Sequence, residues 1–181
     1  MNSLFQVYDE TNASEYKCKL IAGLNRNDFL FDRNAKQLFQ VEMNTLSCSF
    51  NAMAQRVSEL FQHFYSESTI PQNKSFQGTV EFIQLVTEQY GMCYGKKNVR
   101  LVLMIVQANE NNIFDQKFIE HDLIKRGIRV VRKTFDELHD GLIVDQKDGA
   151  LLYNSEPVAA VYYRVGYVPD DYKSPKVNFC S

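Results

Sequence analysis

Cysteine is sparse and scattered in this chain: Cys18, Cys48, Cys93 and Cys180 form no CxxC pair. That spacing excludes a zinc knuckle and a compact disulfide framework, and points to reduced thiols in a cytoplasmic protein. Histidine is scarcer still, and His63, His121 and His139 stand at no HExxH spacing, which leaves no zinc-hydrolase signature. Neither sign of charge dominates, because 20 Lys plus Arg face 22 Asp plus Glu for a net charge of -2. A nucleic-acid binder would carry a basic face, so no nucleic-acid partner is expected. The longest clean apolar run, Leu101 to Val106, is far too short to cross a bilayer, so no membrane partner is expected either. The first residues lack a basic region followed by an apolar stretch, the mark of a secretory signal. The N-x-S matches at Asn12 and Asn73 therefore carry little weight as glycosylation sites.

What is present is an ordinary globular composition, 45% hydrophobic and 23% charged, enough for one core or one core with a smaller unit. β-branched strand-like segments are interrupted by amphipathic helical windows, which predicts an α/β fold. Lys19–Leu24 reads as a strand, Asn25–Asp28 as a turn, and Leu38–Asn44 as a second strand with Gln40, Glu42 and Asn44 on one face. From Asn51, Met53, Val57, Leu60, Phe61 and Phe64 recur at helical spacing and predict a buried stripe. A second helix carries Val80, Ile83, Val86 and Tyr90, with Gly91 as its C-terminal signal.

The strongest pattern is central. Val99–Val106 reads as a buried strand, Gln107–Asn112 as a polar loop, Asp115–Arg126 as a helix stopped by Gly127, and Ile128–Val131 as a strand. Together they make a βαβ unit on a parallel sheet. Thr134–Glu137 has capping-box spacing, and Ala150–Tyr153 and Val158–Tyr163 read as strands joined at Asn154–Glu156. The chain divides softly into a partial α/β segment (1–98), the βαβ unit (99–172) and an irregular tail (173–181).

Three regions carry candidate chemistry. The loop Gln107–Asn112, with Glu110, Asn111 and Asn112, follows a strand end and precedes a helix N-terminus, where parallel sheets bind anions; the same residues serve equally as a solvated turn and helix cap. Glu42 and Asn44, followed by Ser47, Cys48 and Ser49, offer hard oxygens to magnesium, or form the exposed face of an edge strand and a serine-rich helix start. Arg26 and Arg164 each follow a strand, where a guanidinium can meet a substrate carboxylate or point into solvent; Arg129 reads as a solvated alternation position. No GxGxxG, no GxxxxGK[ST] and no nucleophile-elbow setting for Ser49 or Cys48 occurs.

The stretches Gly23–Asp28, Val41–Phe50, Asn112–Gln116 and Tyr163–Pro169, in this order from about residue 20 to 172, resemble the eukaryotic-type glutathione synthetases. That resemblance implies an ATP-dependent carbon–nitrogen ligase, a homodimer, that joins γ-glutamylcysteine and glycine through an acyl phosphate with Mg²⁺. It further implies Glu42 and Asn44 as magnesium and cofactor ligands, and Arg26 as the arginine of the catalytic centre. By the same resemblance Ser47, Cys48 and Ser49 hold the dipeptide, as do Glu110, Asn111, Asn112, Gln116, Arg164, Val165, Gly166 and Tyr167. Family members continue after the Arg164–Pro169 stretch into an ATP-grasp portion, which this chain does not repeat and whose tryptophan it lacks. The expectation is an incomplete ATP-grasp-type ligase, a parallel-sheet βαβ substrate-binding unit preceded by a partial α/β segment, inactive in isolation. The alternative is a noncatalytic binding or dimer-interaction protein on the same scaffold.

Overall fold

The computed structural model of the chain describes residues 22–45, 48–65, 71–96, 98–138, 141–168 and 171. The predicted tail at 173–181 lies outside them, as does the predicted strand at 19–24 except for residues 22–24, which have no regular structure.

The core grows from β3 (Leu101–Ile105), all five residues of which are buried. Such an unbroken apolar run fits a strand covered on both faces, because successive side chains point to opposite sides. Val102 and Met104 face one cluster, with Ala52, Phe76, Val80, Ile83, Ile119 and Leu123. Leu101, Leu103 and Ile105 face the other, with Leu138, Tyr153, Val158 and Val165. The first cluster is supplied by three helices, α1 (Asn51–Phe64), α2 (Ser75–Cys93) and α3 (Ile113–Lys125).

The βαβ unit forms as the sequence predicts: β3, the polar loop, α3, and β4 (Arg129–Lys133), which pairs parallel to β3. Gly127 ends α3 with φ +73°, and the Gly127 and Ile128 amides donate back to Ile124 and Leu123 at 2.9 and 3.0 Å. The capping box also forms: the Thr134 amide donates to Glu137 at 2.9 Å, opening the one-turn helix α4 (Phe135–Leu138). The remaining strands are β5 (Leu142–Val144), β6 (Leu151–Tyr153) and β7 (Glu156–Tyr163), and the sheet order is β4-β3-β7-β6-β5.

The βαβ unit is parallel as expected, and the sheet that contains it is mixed. β7 runs parallel to β3, but β6 runs antiparallel to β7 and β5 antiparallel to β6. The reason is local: β6 and β7 are joined by Asn154 and Ser155 at φ +49° and +67°, and so short a link can only reverse the chain.

Three expectations are corrected. Residues 26–28 are not a turn: they open β1 (Arg26–Asp32), which pairs antiparallel with β2 (Gln37–Asn44). The reversal lies instead at 33–36, where Asp32 accepts the amides of Asn34 and Ala35 at 2.7 and 3.0 Å. A register slip between Asp28 and Phe29 breaks the alternation on β2, so Gln40 donates to Asn27 at 3.4 Å, apart from Glu42 and Asn44. Gly91 lies inside α2; the left-handed residue beyond the helix is Gly95, at φ +64°.

The stripe on α1 is apolar as predicted but uncovered. Val57, Leu60, Phe61 and Phe64 are 45–69% exposed, and α1 buries Ala52 instead. The hairpin β1–β2 likewise exposes Phe29, Leu30, Phe31, Leu38, Phe39 and Val41. Helical periodicity marks an apolar face without saying what covers it.

These burial differences are directly testable. Leu103→Ala should cost about 2–5 kcal/mol in urea unfolding, because its cavity opens between fully packed neighbours. Leu38→Ala, at an exposed position of the hairpin, should stay within about 0.5 kcal/mol.

Candidate functional site

Two predicted regions meet at the C-terminal ends of β3 and β7, the edge where parallel strands present loops to ligands. After β7, the Arg164 amide still donates to Ile105 at 2.8 Å, so the chain leaves the sheet with the Arg164 side chain directed inward. Its Nη1 lies 3.1 Å from Oδ2 of Asp115, in the first turn of α3. Both side chains are almost wholly buried.

Asp115 does more than balance that charge. Its oxygens also accept the amides of Phe50, Ala52 and Met53 at 3.0, 3.0 and 3.2 Å. Those are unpaired donors at the start of α1, a helix with no side-chain cap of its own. One carboxylate therefore caps α1, anchors α3 and neutralises Arg164. Phe50 takes φ +65°, a left-handed backbone rare for a bulky residue, and from there its amide reaches Asp115.

The asparagine-rich loop packs beside this centre. Glu110 accepts the Asn112 amide at 2.7 Å and the carboxamide of Gln116, while Gln107 donates to the Tyr167 hydroxyl at 2.9 Å. Asn111 is exposed on the loop and Gln116 is fully buried beneath it. Val165 belongs to the core, and Gly166, at φ +101°, turns the chain so that its amide meets Asp171 at 2.9 Å.

The hairpin supplies a separate polar cluster. Register pairs Arg26 with Asn44 and Asp28 with Glu42, which puts all four on one face. Arg26 forks onto Asp28 with two bonds of 3.0 Å and lies 3.8 Å from Glu42. Asn44 donates to Glu42 at 3.0 Å and to Asp28 at 3.4 Å. The fork holds the Asp28 carboxyl below its ordinary range and raises the Arg26 guanidinium. Two carboxylates and a carboxamide, with Glu42 about half exposed, are hard oxygen donors of the kind magnesium takes together with water or phosphate oxygens. Among the described residues no three His, Cys, Asp or Glu side chains gather as a metal site.

A cavity of about 360 Å³ lies between these parts, lined by Asn44, Ser49, Phe50, Gln107, Glu110, Asn112, Arg164 and Tyr167. It brings together residues from every region singled out in the sequence, though Arg26 and Glu42 stand behind Asn44 and do not line it. Ser47 lies outside the described residues. Cys48 turns away: its thiol meets the Leu24 and Asn44 carbonyls at 3.2 and 3.1 Å and lines an apolar crevice with Phe82, Val86 and Tyr162. The Cys48 carbonyl accepts the Tyr162 hydroxyl at 2.6 Å, and burial pushes that phenol up to about 12, so it remains a donor.

Asp115 and Asp28 organise the candidate site, and sequence reasoning singled out neither. Asp115 and Gln116 fall on the helix face of Ile119 and Leu123, and polar residues on an apolar face were the available sign. Asp28 gave no such sign, since its role depends on register across the hairpin. Arg129, read as solvated, ion-pairs with Glu156 at the surface.

Comparison with known proteins adds a second line. Residues 100–179 match the family model described as eukaryotic glutathione synthase. Glutathione synthetase of Homo sapiens is 35% identical over 179 residues, which cover 93% of this chain and 36% of the human one. Chloroplastic glutathione synthetase of Solanum lycopersicum is 33% identical over 162 residues, 84% of this chain and 29% of the plant one. The chain thus spans about a third of the length of these curated relatives. A glutathione synthetase-like effector from Globodera pallida, solved in its apo form, superposes with a TM-score of 0.68 at 20% identity over 79% of this chain and 36% of its own, a likeness of fold.

Two measurements probe this geometry. Asp115→Ala should cost about 3–5 kcal/mol in chemical denaturation, because it leaves Arg164 buried without its counter-charge and strips the cap from α1. Asp28, lowered in the folded state by Arg26, contributes stability above its unfolded pKa of about 3.9, lost as pH falls through the lower folded value. In an NMR titration, Arg26→Met should move the Asp28 carboxyl up toward the ordinary range, and an unmoved Asp28 would refute the fork.

Proposed function

Because the chain is kin to the eukaryotic-type glutathione synthetases over most of its length, we propose that its cavity is a dipeptide site for γ-glutamylcysteine. The observation that carries this reading is the convergence of Asn44, Ser49, Glu110, Asn112, Arg164 and Tyr167 on one cavity of about 360 Å³. That size suits a small ligand. The charge pattern suits this one, since γ-glutamylcysteine has two carboxylates and one ammonium, and the cavity offers a guanidinium, a carboxylate and several amide and hydroxyl groups.

In the proposed reaction the dipeptide carboxylate attacks the terminal phosphorus of ATP and displaces ADP. The glycine amine then attacks the acyl carbon, phosphate leaves, and the amide forms. Magnesium, when bound, balances the phosphate charge. Glu42 and Asn44 are proposed as its ligands, with Arg26 behind them as the arginine of the catalytic centre. Ser47, Ser49, Glu110, Asn111, Asn112, Gln116, Arg164 and Tyr167 are proposed to hold the dipeptide, with Val165 and Gly166 shaping the turn between the last two. For Cys48 the part proposed is its backbone, since its thiol faces the apolar crevice. An incomplete ATP-grasp-type architecture, a cytoplasmic setting and a homodimeric state belong to the same proposal.

A second reading has an observation of its own. The exposed apolar faces of α1 and of the hairpin favour a noncatalytic scaffold that pairs with another protein.

Calorimetry separates the two. Titration with γ-glutamylcysteine, with and without Mg²⁺ and ATP, should give a dissociation constant on the order of 1 mM. The Arg26→Ala, Arg164→Lys double variant should lose that heat, with the lysine retaining a charge for Asp115. Absence of dipeptide binding, together with self-association in sedimentation equilibrium that Phe61→Ser abolishes, would favour the scaffold instead.

A further inference from the structure

The carboxamide of Gln116 has two chemically different ends, and something must decide which one meets Glu110. Its Nε2 donates to Glu110 Oε2, and its Oε1 accepts from Arg132 Nη2 at 2.6 Å. Arg132 lies on β4 opposite Met104 of β3, and so shares the sheet face that α2 and α3 cover. Its side chain is 16% exposed.

Arg132 also has a carboxylate neighbour on α3. Its Nε faces Glu120 Oε2 across 3.9 Å, and neither buried atom makes a hydrogen bond. Glu120 also pairs with Lys117 one turn earlier on α3, at 2.8 Å. The chain of contacts runs Lys117, Glu120, Arg132, Gln116, Glu110, and ends where Glu110 accepts the Asn112 amide at 2.7 Å on the cavity wall.

We propose that Arg132 is a positioning residue for the cavity: by donating to Gln116 Oε1 it turns the carboxamide nitrogen toward Glu110 and fixes the acidic wall that faces the ligand. A guanidinium can only donate, so the Gln116 end beside it must be the oxygen. The opposite end is then the Nε2 donor, whose hydrogen the Glu110 carboxylate accepts, whereas a rotated carboxamide would set its own oxygen against that carboxylate. The orientation of Gln116 is thereby set from outside the cavity, and with it the loop from Glu110 to Asn112. Arg132 itself is not among the residues that line the cavity. This inference rests on the dipeptide reading of the cavity for its functional consequence, but its structural half stands apart from that reading.

The test uses the full chain and two variants, Arg132→Met and Arg132→Lys. In nitrogen-15 NMR spectra the Gln116 side-chain amide protons should exchange slowly in the parent protein and rapidly in Arg132→Met. The backbone amides of Ile119 and Leu123 should remain protected, which a general loosening of α3 would not allow. Titration with γ-glutamylcysteine should show binding about tenfold weaker in Arg132→Met, the size expected for loss of a charge-assisted bond that orders the wall. Arg132→Lys, which keeps a charged donor, should recover part of both signals, and it carries the comparison should Arg132→Met fail to fold. Unchanged Gln116 exchange, or unchanged affinity alongside altered exchange, overturns the proposal. A parent chain that binds no dipeptide counts against the proposed function, whereas the exchange measurement still decides whether Arg132 orients Gln116.

Discussion

The carboxylate of Asp115 is the constraint on which the rest of the site depends. It is fully buried, and its oxygens meet three backbone amides of the α1 start and the guanidinium of Arg164. A carboxylate out of water is costly unless every lone pair is used, and four donors supply that compensation. The same four bonds join elements far apart in sequence: residues 50–53, the first turn of α3, and the exit of β7. Remove the charge and the α1 start, the helix behind the asparagine-rich loop and the arginine at the cavity each lose a reference point. The pair is therefore at once a piece of the core and the floor of the candidate site.

How much of this was legible beforehand follows from which forces are local. The βαβ unit was readable because a strand buried on both faces, a helix stopped by a left-handed glycine and a second strand leave their signals in consecutive residues. The capping box at Thr134 was readable for the same reason. The antiparallel half of the sheet followed from two residues, Asn154 and Ser155, whose positive φ angles the composition did not announce. The apolar face of α1 was read correctly as apolar and wrongly as buried, since periodicity is a property of one element and burial a property of two.

Within the site the same rule applies. Arg164, Glu110, Asn112, Ser49 and Asn44 were singled out from polar residues at strand ends and loops, and they do share a cavity. Asp28 and Arg132 escaped notice because each acts through a partner brought close by strand pairing, across β1–β2 for one and from β4 to α3 for the other. Cys48 has its thiol bound to backbone carbonyls while its own carbonyl serves Tyr162, a direction that its place in the stretch did not reveal. Position in a motif gives a residue's place on the chain, and only packing gives the direction of its side chain.

The two halves of the site are built with different stiffness, and this bears on how it would work. The floor is buried, with Asp115, Arg164 and Gln116 all but inaccessible and each already bonded. Such groups need little reorganisation when a ligand arrives, which favours affinity without new contacts. The hairpin that presents Arg26, Asp28, Glu42 and Asn44 packs chiefly on itself. Its base is held by the Cys48 thiol on the Asn44 carbonyl and, through Cys48, by the Tyr162 hydroxyl. An element with few buried contacts opens at low free-energy cost, so the polar cluster can shift relative to the floor while its internal fork stays intact. The cavity therefore joins a buried, already bonded floor to a polar cluster on an element that packs chiefly on itself, and the two can respond differently to the same ligand.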